Sequence, residues 1–326
     1  MIRLGPGGEF DRIRRILGEP APWAGVLVGP GDDATVLEAG EPLVLSSDLS
    51  IEGVHFKREW LAPEEIGYRA VAAALSDLAA MAAEPVGVLV SLALPDGGDD
   101  EVGRLALGFH EALAQAPGTL LGGDLSRSPG PLILDVMAVG RTDRPLLRSG
   151  ALPGDDLWVT GGLGAAGAAV RAWSRGSQPG EPLRLAFARP VARIAESVWL
   201  KARASVHAGM DLSDGLGRDA WHLASASGMD VILFEEAIPV HPELSGEANR
   251  WELALGGGED YELLLAAAPG QLDDVQEEFE ARFSVPLSRV GRVEEGTGLV
   301  FLVPTEGERT LLEPLGFDHF QTGESI

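Results

Sequence analysis

The sequence predicts an α/β (α+β) protein made of two domains. Its 326 residues are about twice the length of a typical single domain. Apolar runs of strand length alternate with amphipathic or alanine-rich runs of helix length along both halves. A segment rich in glycine, proline and charge, Arg144–Asp156, separates the halves. We therefore predict an N-terminal domain over residues 1–147 and a C-terminal α/β domain over residues 148–326.

The N-terminal half predicts a β-α-β-α-β-β order after a short amphipathic helix at Gly8–Leu17. An alanine-rich helix at Pro63–Ala83 has a proline near its first turn and another proline beyond its end, as helices prefer. The remaining predicted elements are a helix at Asp100–Ala114 and strands at Leu43–Ser46, Val86–Leu94, Thr119–Leu121 and Leu132–Gly140.

The C-terminal half predicts a second mixture of strands and helices. The predicted strands are Leu157–Thr160, Asp230–Phe234, Tyr261–Ala267, Leu287–Val293 and Leu299–Val303. The predicted helices are Gly164–Ser174, Pro190–Ala204, Gly215–Ser227 and Gln271–Arg282, with a weaker helical pattern at His241–Ala254. Neither half repeats the other closely in sequence.

Composition excludes several classes of protein. A net charge of −25, with Lys57 and Lys201 as the only lysines, argues against nucleic-acid and membrane partners. The absence of cysteine excludes disulfides, thiolate nucleophiles and zinc–cysteine sites. No apolar run reaches the roughly 18 residues of a membrane span, and the N-terminal segment lacks a signal-peptide core. We therefore expect a cytoplasmic protein.

Aspartates recur where an apolar segment meets glycine or serine. One such aspartate is typical of a turn or a helix cap, but five similar junctions indicate a shared role. Magnesium prefers carboxylate oxygens, water and substrate phosphates. The pattern therefore predicts Mg²⁺ ions that hold a polyphosphate. The junctions are residues 31–33, 46–48, 75–78, 122–124 and 211–215.

Asp77 is the most informative of these aspartates because it lies inside a predicted apolar helix. An unpaired carboxylate there costs several kcal/mol, and no lysine or arginine is three or four residues away to pair with it. Asp48 and Asp124 follow apolar runs, where we expect strands to end. Ligands of α/β proteins tend to bind at that end of a strand.

Other phosphate chemistries find no support. The Walker A pattern and the protein-kinase motifs are absent, so metal ions and arginine must neutralise the phosphates. Arg148 is the candidate arginine, although an exposed linker arginine is an equal alternative. Residues 162–167 match Gly-x-Gly-x-x-Gly after a strand, as in dinucleotide-binding proteins. That fold needs a second strand soon after the motif, but the segment that would form it contains strand-breaking residues, namely Gly176, Pro179, Gly180 and Pro182. This favours a structural or phosphate-facing role for the glycines of residues 162–167.

Several motifs, in order, resemble the thiamine-monophosphate kinase family, which belongs to a superfamily with aminoimidazole ribonucleotide synthetase and selenophosphate synthetase. Each motif is weak alone, and the ordered set covers nearly the whole chain. The motifs are Gly8-Glu9-Phe10, Gly31-Asp32-Asp33-Ala34, Ser47-Asp48 with His55, Leu75-Ser76-Asp77-Leu78, Gly122-Gly123-Asp124, Arg148-Ser149-Gly150, Asp211-Leu212-Ser213-Asp214-Gly215, Gly257-Gly258-Glu259-Asp260-Tyr261-Glu262 and Gly316-Phe317-Asp318-His319-Phe320.

This resemblance implies a fold and a reaction. The fold is the two-domain aminoimidazole ribonucleotide synthetase-like fold, whose N-terminal sheets form the interface of a homodimer. The reaction is direct, in-line transfer of the γ-phosphoryl group of ATP to thiamine monophosphate, with several Mg²⁺ ions. Such transfer depends on positioning and charge neutralisation, so no covalent nucleophile is required.

The resemblance also implies roles for individual residues. The implied magnesium ligands are Asp33, Ser46, Ser47, Asp48, Asp77, Asp124, Asp211 and Asp214. The implied ATP contacts are Gly123, Asp124, Arg148 and Ser213. His55, Glu259 and Phe317 would contact the thiamine part, where an aromatic ring can stack on a cationic heterocycle.

Three alternatives stay open. A sister ATP-dependent synthetase of the same superfamily would share the metal-binding aspartates but not the segments around Glu259 and Phe317. A nicotinamide-dependent oxidoreductase would use Gly162–Gly167. A nucleotide-binding protein without activity is the third, although it would have little reason to retain so many aspartates of the metal-binding type.

Overall fold

The computed structural model describes residues 15–16, 25–28, 36–95 and 99–316, which divide into two compact units. Unit 1 holds the described residues up to 78 together with 83–143, and unit 2 holds 79–82 and 144–316. The division falls at the start of the glycine- and proline-rich segment that the sequence marks. Within the described ranges, no helix combines the length and apolar character needed to cross a membrane.

In the described part of unit 1, a four-stranded sheet is accompanied by two full helices, a short helical piece at residues 15–16 and a separate two-stranded ribbon. The strands are β1 (Val26–Val28), β2 (Val36–Leu37), β3 (Leu43–Ile51), β4 (Glu84–Leu94), β5 (Thr119–Arg127) and β6 (Ile133–Arg141), and the helices are α1 (Pro63–Ala80) and α2 (Asp99–Gln115). The sheet order is β3-β6-β4-β5, with β4 and β5 parallel and the other pairs antiparallel. Helix α2 makes the crossover between the parallel strands.

The two faces of the unit 1 sheet differ in burial. Val90, Leu134 and Val136 lie on the face that packs against the helices and are at most 4% exposed. On the opposite face Leu45 is 61% exposed and Met137 is 41% exposed. Alternation along each strand produces this division, because successive side chains point to opposite faces.

Unit 2 contains a seven-stranded sheet and six helices within the described residues. The strands are β7 (Asp156–Thr160), β8 (Val206–Asp211), β9 (Met229–Phe234), β10 (Leu263–Ala267), β11 (Leu287–Glu295), β12 (Val300–Val303) and β13 (Thr310–Leu311). The helices are α3 (Ala165–Ser174), α4 (Glu181–Ala188), α5 (Ile194–Arg203), α6 (Leu216–Ser227), α7 (Arg250–Gly256) and α8 (Gln276–Phe283). The order is β13-β12-β9-β11-β7-β10-β8, and only the pairing of β12 with β9 is parallel in it.

The core of unit 2 lies between one face of this sheet and helix α6. Leu157 and Val159 of β7 join Leu216 and Leu223 of α6 in a single cluster of buried side chains. Trp158 points to the other face and is also buried, so the sheet is covered on both sides. A sheet buried on both faces gives the loops at its edges a rigid support.

Several elements differ from the sequence predictions. Strands β3 and β5 continue through Asp48 and Asp124, so the expectation that these residues follow the ends of strands is wrong. The pairing of β3 with β6 runs on to Ile51, and this long ladder keeps the polar residues extended. Strand β8 and helix α4 were not predicted, because β8 contains His207 and Gly209 and lacks a clear apolar pattern.

Four further predictions concern residues 241–254, residues 8–17, Asp33 and Phe317. The weak helical pattern at residues 241–254 resolves into a 3-10 turn, Pro242–Leu244, and the short helix α7. Most of the helix predicted at residues 8–17 lies outside the described residues, as do Asp33 and Phe317.

Candidate functional site

A serine hydroxyl on the sheet of unit 1 satisfies the carboxylate of Asp77. Ser46 Oγ on β3 donates a hydrogen bond to Asp77 Oδ2 on α1. This bond accounts for a carboxylate in an otherwise apolar helix, where sequence reasoning found no basic partner. Asp48 is two residues along the strand from Ser46 and therefore lies on the same, helix-covered side. Three of the predicted metal ligands thus share one side of the sheet.

The opposite face of the same sheet carries a second group of oxygen donors. Ser47 Oγ donates to Asp135 Oδ1 at 2.7 Å. Asp135 on β6 is paired with Ser91 on β4, and Ser91 is paired with Asp124 on β5. Paired residues on adjacent strands point to the same face, and strands are spaced by about 4.8 Å. Asp124 and Asp135 therefore flank Ser91, with their backbones about 10 Å apart.

Residue 123, just before Asp124, is a glycine because β5 passes very close to β4 at this point. A Cβ atom at residue 123 would lie 1.8 Å from the carbonyl oxygen of Val90. Its φ of 150° also falls in a region that favours glycine. The backbone geometry at this point of the sheet therefore requires glycine at residue 123, whatever ligand binds there.

His55, the predicted thiamine contact of unit 1, lies in the turn after β3. The backbone N–H of Ile51 donates to His55 Nδ1 at 3.0 Å, which leaves the proton of a neutral ring on Nε2. The imidazole is half-buried. The histidine thus stabilises its own turn through Nδ1.

Two loops of unit 2 form a continuous backbone network. Residues 211–215 connect β8 to α6, and residues 257–262 connect α7 to β10. The N–H of Glu259 donates to the carbonyl of Ser213 at 2.7 Å, and the N–H of Tyr261 donates to Leu212 at 2.8 Å. The predicted ATP contact Ser213 is therefore held beside the predicted thiamine contact Glu259.

Asp219 holds the start of helix α6 in place. Its Oδ2 accepts hydrogen bonds from the N–H groups of Asp214 and Gly215, both at 3.1 Å. The side chain is buried, and burial, followed by the charges of Asp214 and Asp211, raises the pKa of Asp219 well above its usual range. The three carboxyl groups therefore interact strongly, and a cation among them would relieve their repulsion.

The surface of α6 next to this loop combines a possible metal-binding group with an arginine. One ligand atom from each of Asp214, Asp219 and His222 lies within 4.8 Å of the other two. Burial first, and then the guanidinium of Arg148, lowers the pKa of His222 and keeps its ring neutral. Arg148 is exposed, and its carbonyl accepts a 2.7 Å hydrogen bond from Ser227 Oγ. The exposed guanidinium is thus available to a ligand near this surface.

Glu259 lies on a strained loop. Its φ is 65° and that of Tyr261 is 52°, a conformation that non-glycine residues rarely adopt and that costs about 1–3 kcal/mol each. Tyr261 Oη donates to Glu259 Oε2 at 2.6 Å, which fixes the carboxylate. Strain of this kind persists only where the surrounding structure enforces it, and it often marks a functional loop.

The glycines of the dinucleotide-like motif serve packing in this protein. The N–H of Gly164 at the start of α3 donates to both carboxylate oxygens of Asp260, at 3.0 and 2.9 Å. A Cβ at Gly167 would lie 2.5 Å from Cα of Gly257. A carboxylate of the protein therefore occupies the helix start where a dinucleotide phosphate would bind. This arrangement supports the structural reading of the motif rather than the phosphate-facing one.

Sequence reasoning missed four residues of these clusters. Asp135 was hidden in an apolar strand, and its alternation with Leu134 and Val136 was the available signal. Asp219 and His222 follow Gly215 at helical spacing, which places them near the same end of α6. Tyr261 was quoted only as part of a motif. Asp135 depends on a partner 88 residues away, Ser47, whereas Asp219 and Tyr261 bond residues at most five positions away.

Comparison with known proteins identifies two family domains that cover most of the chain. Residues 31–142 match the AIR synthase related protein, N-terminal domain, and residues 153–304 match the AIR synthase related protein, C-terminal domain. The chain is 35% identical over 312 residues to the thiamine-monophosphate kinase of Rhodopirellula baltica, covering 91% of this chain and 92% of that protein. It is 31% identical over 327 residues to the Bacillus subtilis thiamine-monophosphate kinase, with 96% and 99% covered.

Solved structures have the same two-domain α/β fold. The thiamine-monophosphate kinase of Stenotrophomonas maltophilia is similar with a TM-score of 0.79 and 36% identity, covering 90% of this chain and 95% of that one. AaThiL complexed with AMPPCP and TMP gives 0.74 and 33%, with 89% and 91% covered. The hydrogenase maturation protein HypE gives 0.77 at 18% identity, a likeness of fold alone.

Proposed function

This chain belongs to the thiamine-monophosphate kinase family of AIR synthase related proteins, and from that premise we propose that it transfers the γ-phosphoryl group of ATP to thiamine monophosphate. The products are thiamine diphosphate and ADP. The observation that carries the proposal is identity of 31–36% to kinases of this name over about nine-tenths of the chain or more. A relative solved with AMPPCP and TMP supports the choice of both substrates.

Magnesium fits the donor atoms of the proposed site. The groups around Asp77 and Asp135 are carboxylates and serine hydroxyls, which are hard oxygen ligands. The group around Asp214 combines two carboxylates with the imidazole of His222. Bound Mg²⁺ would neutralise phosphate charge during the transfer. The proposed ligands are Asp33, Ser46, Ser47, Asp48, Asp77, Asp124, Asp211 and Asp214.

The protein's own groups bind and orient the phosphates. Arg148 offers an exposed guanidinium for an ATP phosphate, and Ser213 offers a hydroxyl on a loop fixed by Glu259. Gly123 and Asp124 are proposed to contact ATP from unit 1. An oxygen of the acceptor phosphate attacks the γ-phosphorus in line, and the bond to the β-phosphate oxygen breaks, so ADP leaves. The acceptor is already ionised near pH 7, so no strong general base is needed.

The thiamine part is proposed to lie against Glu259, His55 and Phe317. The carboxylate of Glu259 would favour the positive charge of the thiazolium ring, and Tyr261 Oη keeps that carboxylate in one orientation. Nδ1 of His55 is bonded within its own turn, and the ring is proposed to contact the thiamine part. Phe317 would supply an aromatic face.

We propose a cytoplasmic homodimer formed through the open face of the unit 1 sheet. That face exposes Leu43, Leu45, Leu49 and Met137 by 41–61%, an apolar surface of the kind that marks interaction sites. A cytoplasmic location follows from the use of ATP and agrees with a chain that has no cysteine.

The deciding experiment is a coupled assay of ADP release with ATP and Mg²⁺. We expect turnover with thiamine monophosphate and none with unphosphorylated thiamine. Omission of Mg²⁺, or addition of excess EDTA, should abolish the signal. Absence of turnover with the monophosphate, in protein shown to be folded, would favour the sister synthetase.

A further inference from the structure

Three side chains at the edge of the unit 2 sheet form a chain of hydrogen bonds outside the proposed kinase site. Ser205 Oγ lies 3.0 Å from His207 Nε2, and His207 Nδ1 lies 2.9 Å from Asp155 Oδ1. A hydroxyl, an imidazole and a carboxylate in this order are the parts of a serine nucleophile with its base and the group that orients the base. Both distances lie within the 2.6–3.2 Å reach that such a set requires.

The carboxylate of Asp155 determines which way the protons of this set point. A carboxylate only accepts hydrogen bonds, so Nδ1 of a neutral His207 ring carries the proton. Nε2 then has a lone pair and accepts the hydrogen bond that the Ser205 hydroxyl donates. The proton that a base must remove from the serine therefore already points at that base.

Backbone hydrogen bonds fix the two outer members of the set. The N–H of Leu152 donates to Asp155 Oδ2 at 2.8 Å and orients the carboxylate. The carbonyl of Ser205 accepts a hydrogen bond from the N–H of Ala268 at 2.9 Å, so the serine is tied to the chain that follows β10. Groups held in this way lose little further freedom when they react.

A bulge in strand β8 places the histidine between these two members. Strand β10 pairs Ala266 with Ala208 but pairs Ala267 with Val206, so His207 is an extra residue without a partner in this ladder. A bulge redirects the side chain of its extra residue and often occurs beside active sites. Here the redirected imidazole bonds the serine on its own strand and the carboxylate that precedes β7, on the other side of β10.

Burial decreases along the set from the carboxylate to the hydroxyl. Asp155 is 2% exposed, the side chain of His207 is 26% exposed, and Ser205 is exposed. The orienting acid is therefore shielded from water, while the nucleophile can meet a substrate.

The set lies far from the site proposed for ATP and thiamine monophosphate. Strand β8 has six residues, and the proposed magnesium ligand Asp211 is the last of them. At about 3.3 Å per residue, Ser205 and Asp211 are separated by roughly 20 Å. A reaction at Ser205 therefore does not use the phosphate-binding loop.

We propose that Ser205 is a nucleophile for acyl transfer and that this surface hydrolyses small activated esters. Ser205 Oγ forms a bond to the ester carbonyl carbon while its proton passes to His207 Nε2. The bond from that carbon to the leaving oxygen then breaks, and His207 gives the proton to the leaving oxygen. Asp155 holds the imidazole in the required tautomer and stabilises its transient positive charge.

Water completes the reaction. A water molecule attacks the acyl carbon and gives a proton to His207, which passes a proton to Ser205 Oγ as the acyl group leaves as a carboxylic acid. The exposed serine offers a substrate little surface to bind, so the substrates are esters with good leaving groups, such as aryl acetates. General base assistance of this kind contributes about 10²–10⁴ in rate.

Hydrolysis of p-nitrophenyl acetate by the full-length protein tests the proposal. We expect release of p-nitrophenolate together with an acetyl group that peptide mass spectrometry locates on Ser205. Ser205→Ala should lower the rate by at least about tenfold. The matched control is Ser177→Ala, which removes another exposed serine whose hydroxyl bonds a backbone carbonyl at 2.9 Å, and it should leave the rate unchanged.

Variants of the other two members test their roles. His207→Gln removes the base and should also lower the rate by at least about tenfold. Asp155→Asn keeps an acceptor for Leu152 but favours the wrong imidazole tautomer, so kcat should fall while KM for the ester stays unchanged. A rise in KM with unchanged kcat would overturn the positioning role of Asp155. If Asp155→Asn fails to fold, Ser205→Ala and His207→Gln decide the result.

The outcomes that overturn the proposal are equally specific. They are a normal rate in Ser205→Ala, an acetyl group found only on other residues, or a loss in Ser177→Ala as large as that in Ser205→Ala. Inhibition of ester hydrolysis by ATP with Mg²⁺ would place the reaction at the kinase site and would also refute it.

The kinase assay separates this inference from the proposed function. Ser205→Ala should leave the KM values for ATP and thiamine monophosphate unchanged while ester hydrolysis is lost. Parallel loss of both activities would refute an independent site at Ser205. A protein without kinase activity that still hydrolyses the ester through Ser205 would refute only the proposed function.

Discussion

Two helices of unit 2 begin in closely similar ways and lead to different surfaces. Helix α3 follows β7 and begins after Gly164, whose φ is 89°, and helix α6 follows β8 and begins after Gly215, whose φ is 108°. At each start, a carboxylate with a raised pKa binds backbone N–H groups. At α3 that carboxylate is Asp260, which comes from a distant loop and takes the helix's own first donor.

At α6 the carboxylate is Asp219, which comes from within the helix and reaches back to the preceding loop. Asp219 is buried, whereas the Asp214 side chain it supports is 34% exposed. The first arrangement fills a helix start, and the second presents a loop for binding. A glycine before a helix therefore indicates a tight turn. Whether a ligand can reach the start of the helix depends on where the bound carboxylate comes from, another loop or the helix itself.

The largest expected effect is a difference in activity between a variant at the start of α6 and a variant at the start of α3. Asp214→Asn should lower kcat by about 100-fold or more, because it removes charge from a site where electrostatic stabilisation is worth about 10²–10³ in rate. Asp260→Asn should lower kcat by less than about fivefold, since it lies on the other side of the loop. Initial rates of ADP release at saturating substrates measure both. A reversal of this order would place the catalytic surface at α3.

A second pair of variants tests what Asp219 does. Asp219→Ala leaves the N–H groups of Asp214 and Gly215 without their acceptor, at a cost of about 1–3 kcal/mol, whereas Asp219→Asn keeps an acceptor oxygen. We expect the alanine variant to weaken Mg²⁺ binding by about tenfold, as loss of a supporting partner does. Titration of Mg²⁺ by calorimetry, with thermal unfolding as the control for folding, measures this. Equal Mg²⁺ affinity in both variants would contradict a positioning role.

A smaller effect is expected at Tyr261. Tyr261→Phe removes the hydroxyl that orients Glu259, a net loss of about 1 kcal/mol, or roughly fivefold in affinity. The KM for thiamine monophosphate should rise by that factor while the KM for ATP stays unchanged. Steady-state kinetics with each substrate varied in turn distinguishes the two. A change in the KM for ATP alone would indicate that Glu259 contacts the nucleotide instead of the thiamine part.

A last expected effect concerns how stability, rather than activity, depends on pH. An unfolded aspartate has a pKa near 3.9, and the pKa of folded Asp260 is about 8, so folding favours the protonated form. Its contribution is fully present below about pH 4 and is lost as the pH rises to about 8. Urea unfolding across this range should therefore show a shallower loss of stability in Asp260→Asn than in the unmodified protein. The charged or titratable groups that face Asp260 are Glu259, Glu262, His241, Arg189 and Arg193.

An identical slope in both proteins would show that Asp260 titrates normally in the folded state. The same measurement on Asp273→Asn supplies the control for an exposed carboxylate.

The sequence was most informative where physical signals are local. The C-terminal end of helix α1 was predicted to within three residues. The signals that mark the ends of a helix, such as a proline near its first turn, act over a single turn and are visible in the sequence. The helix start after Gly215 was predicted for the same reason. Strand β8 escaped prediction, since its pairing with β10 rather than its own composition keeps it extended.

The aspartate junctions were visible in the sequence, but their partners were not. Asp77 needed Ser46, which lies 31 residues away, and Asp260 needed the start of α3, which lies 96 residues away. Which face of the unit 1 sheet carries Asp48 or Asp124 also depended on strand register. A one-residue change of register would have exchanged the faces.

By itself the sequence determined the chemistry available to this protein: many hard oxygen ligands, few basic groups, no thiol, and the ordered motifs of a kinase family. Only the tertiary structure decided which carboxylates are buried, which are paired, and which of two similar helix starts is filled by the protein itself. The physical reason is that residue type fixes a group's intrinsic charge and hydrogen-bonding capacity. Its pKa and its partners are set by neighbours that folding brings from distant parts of the chain.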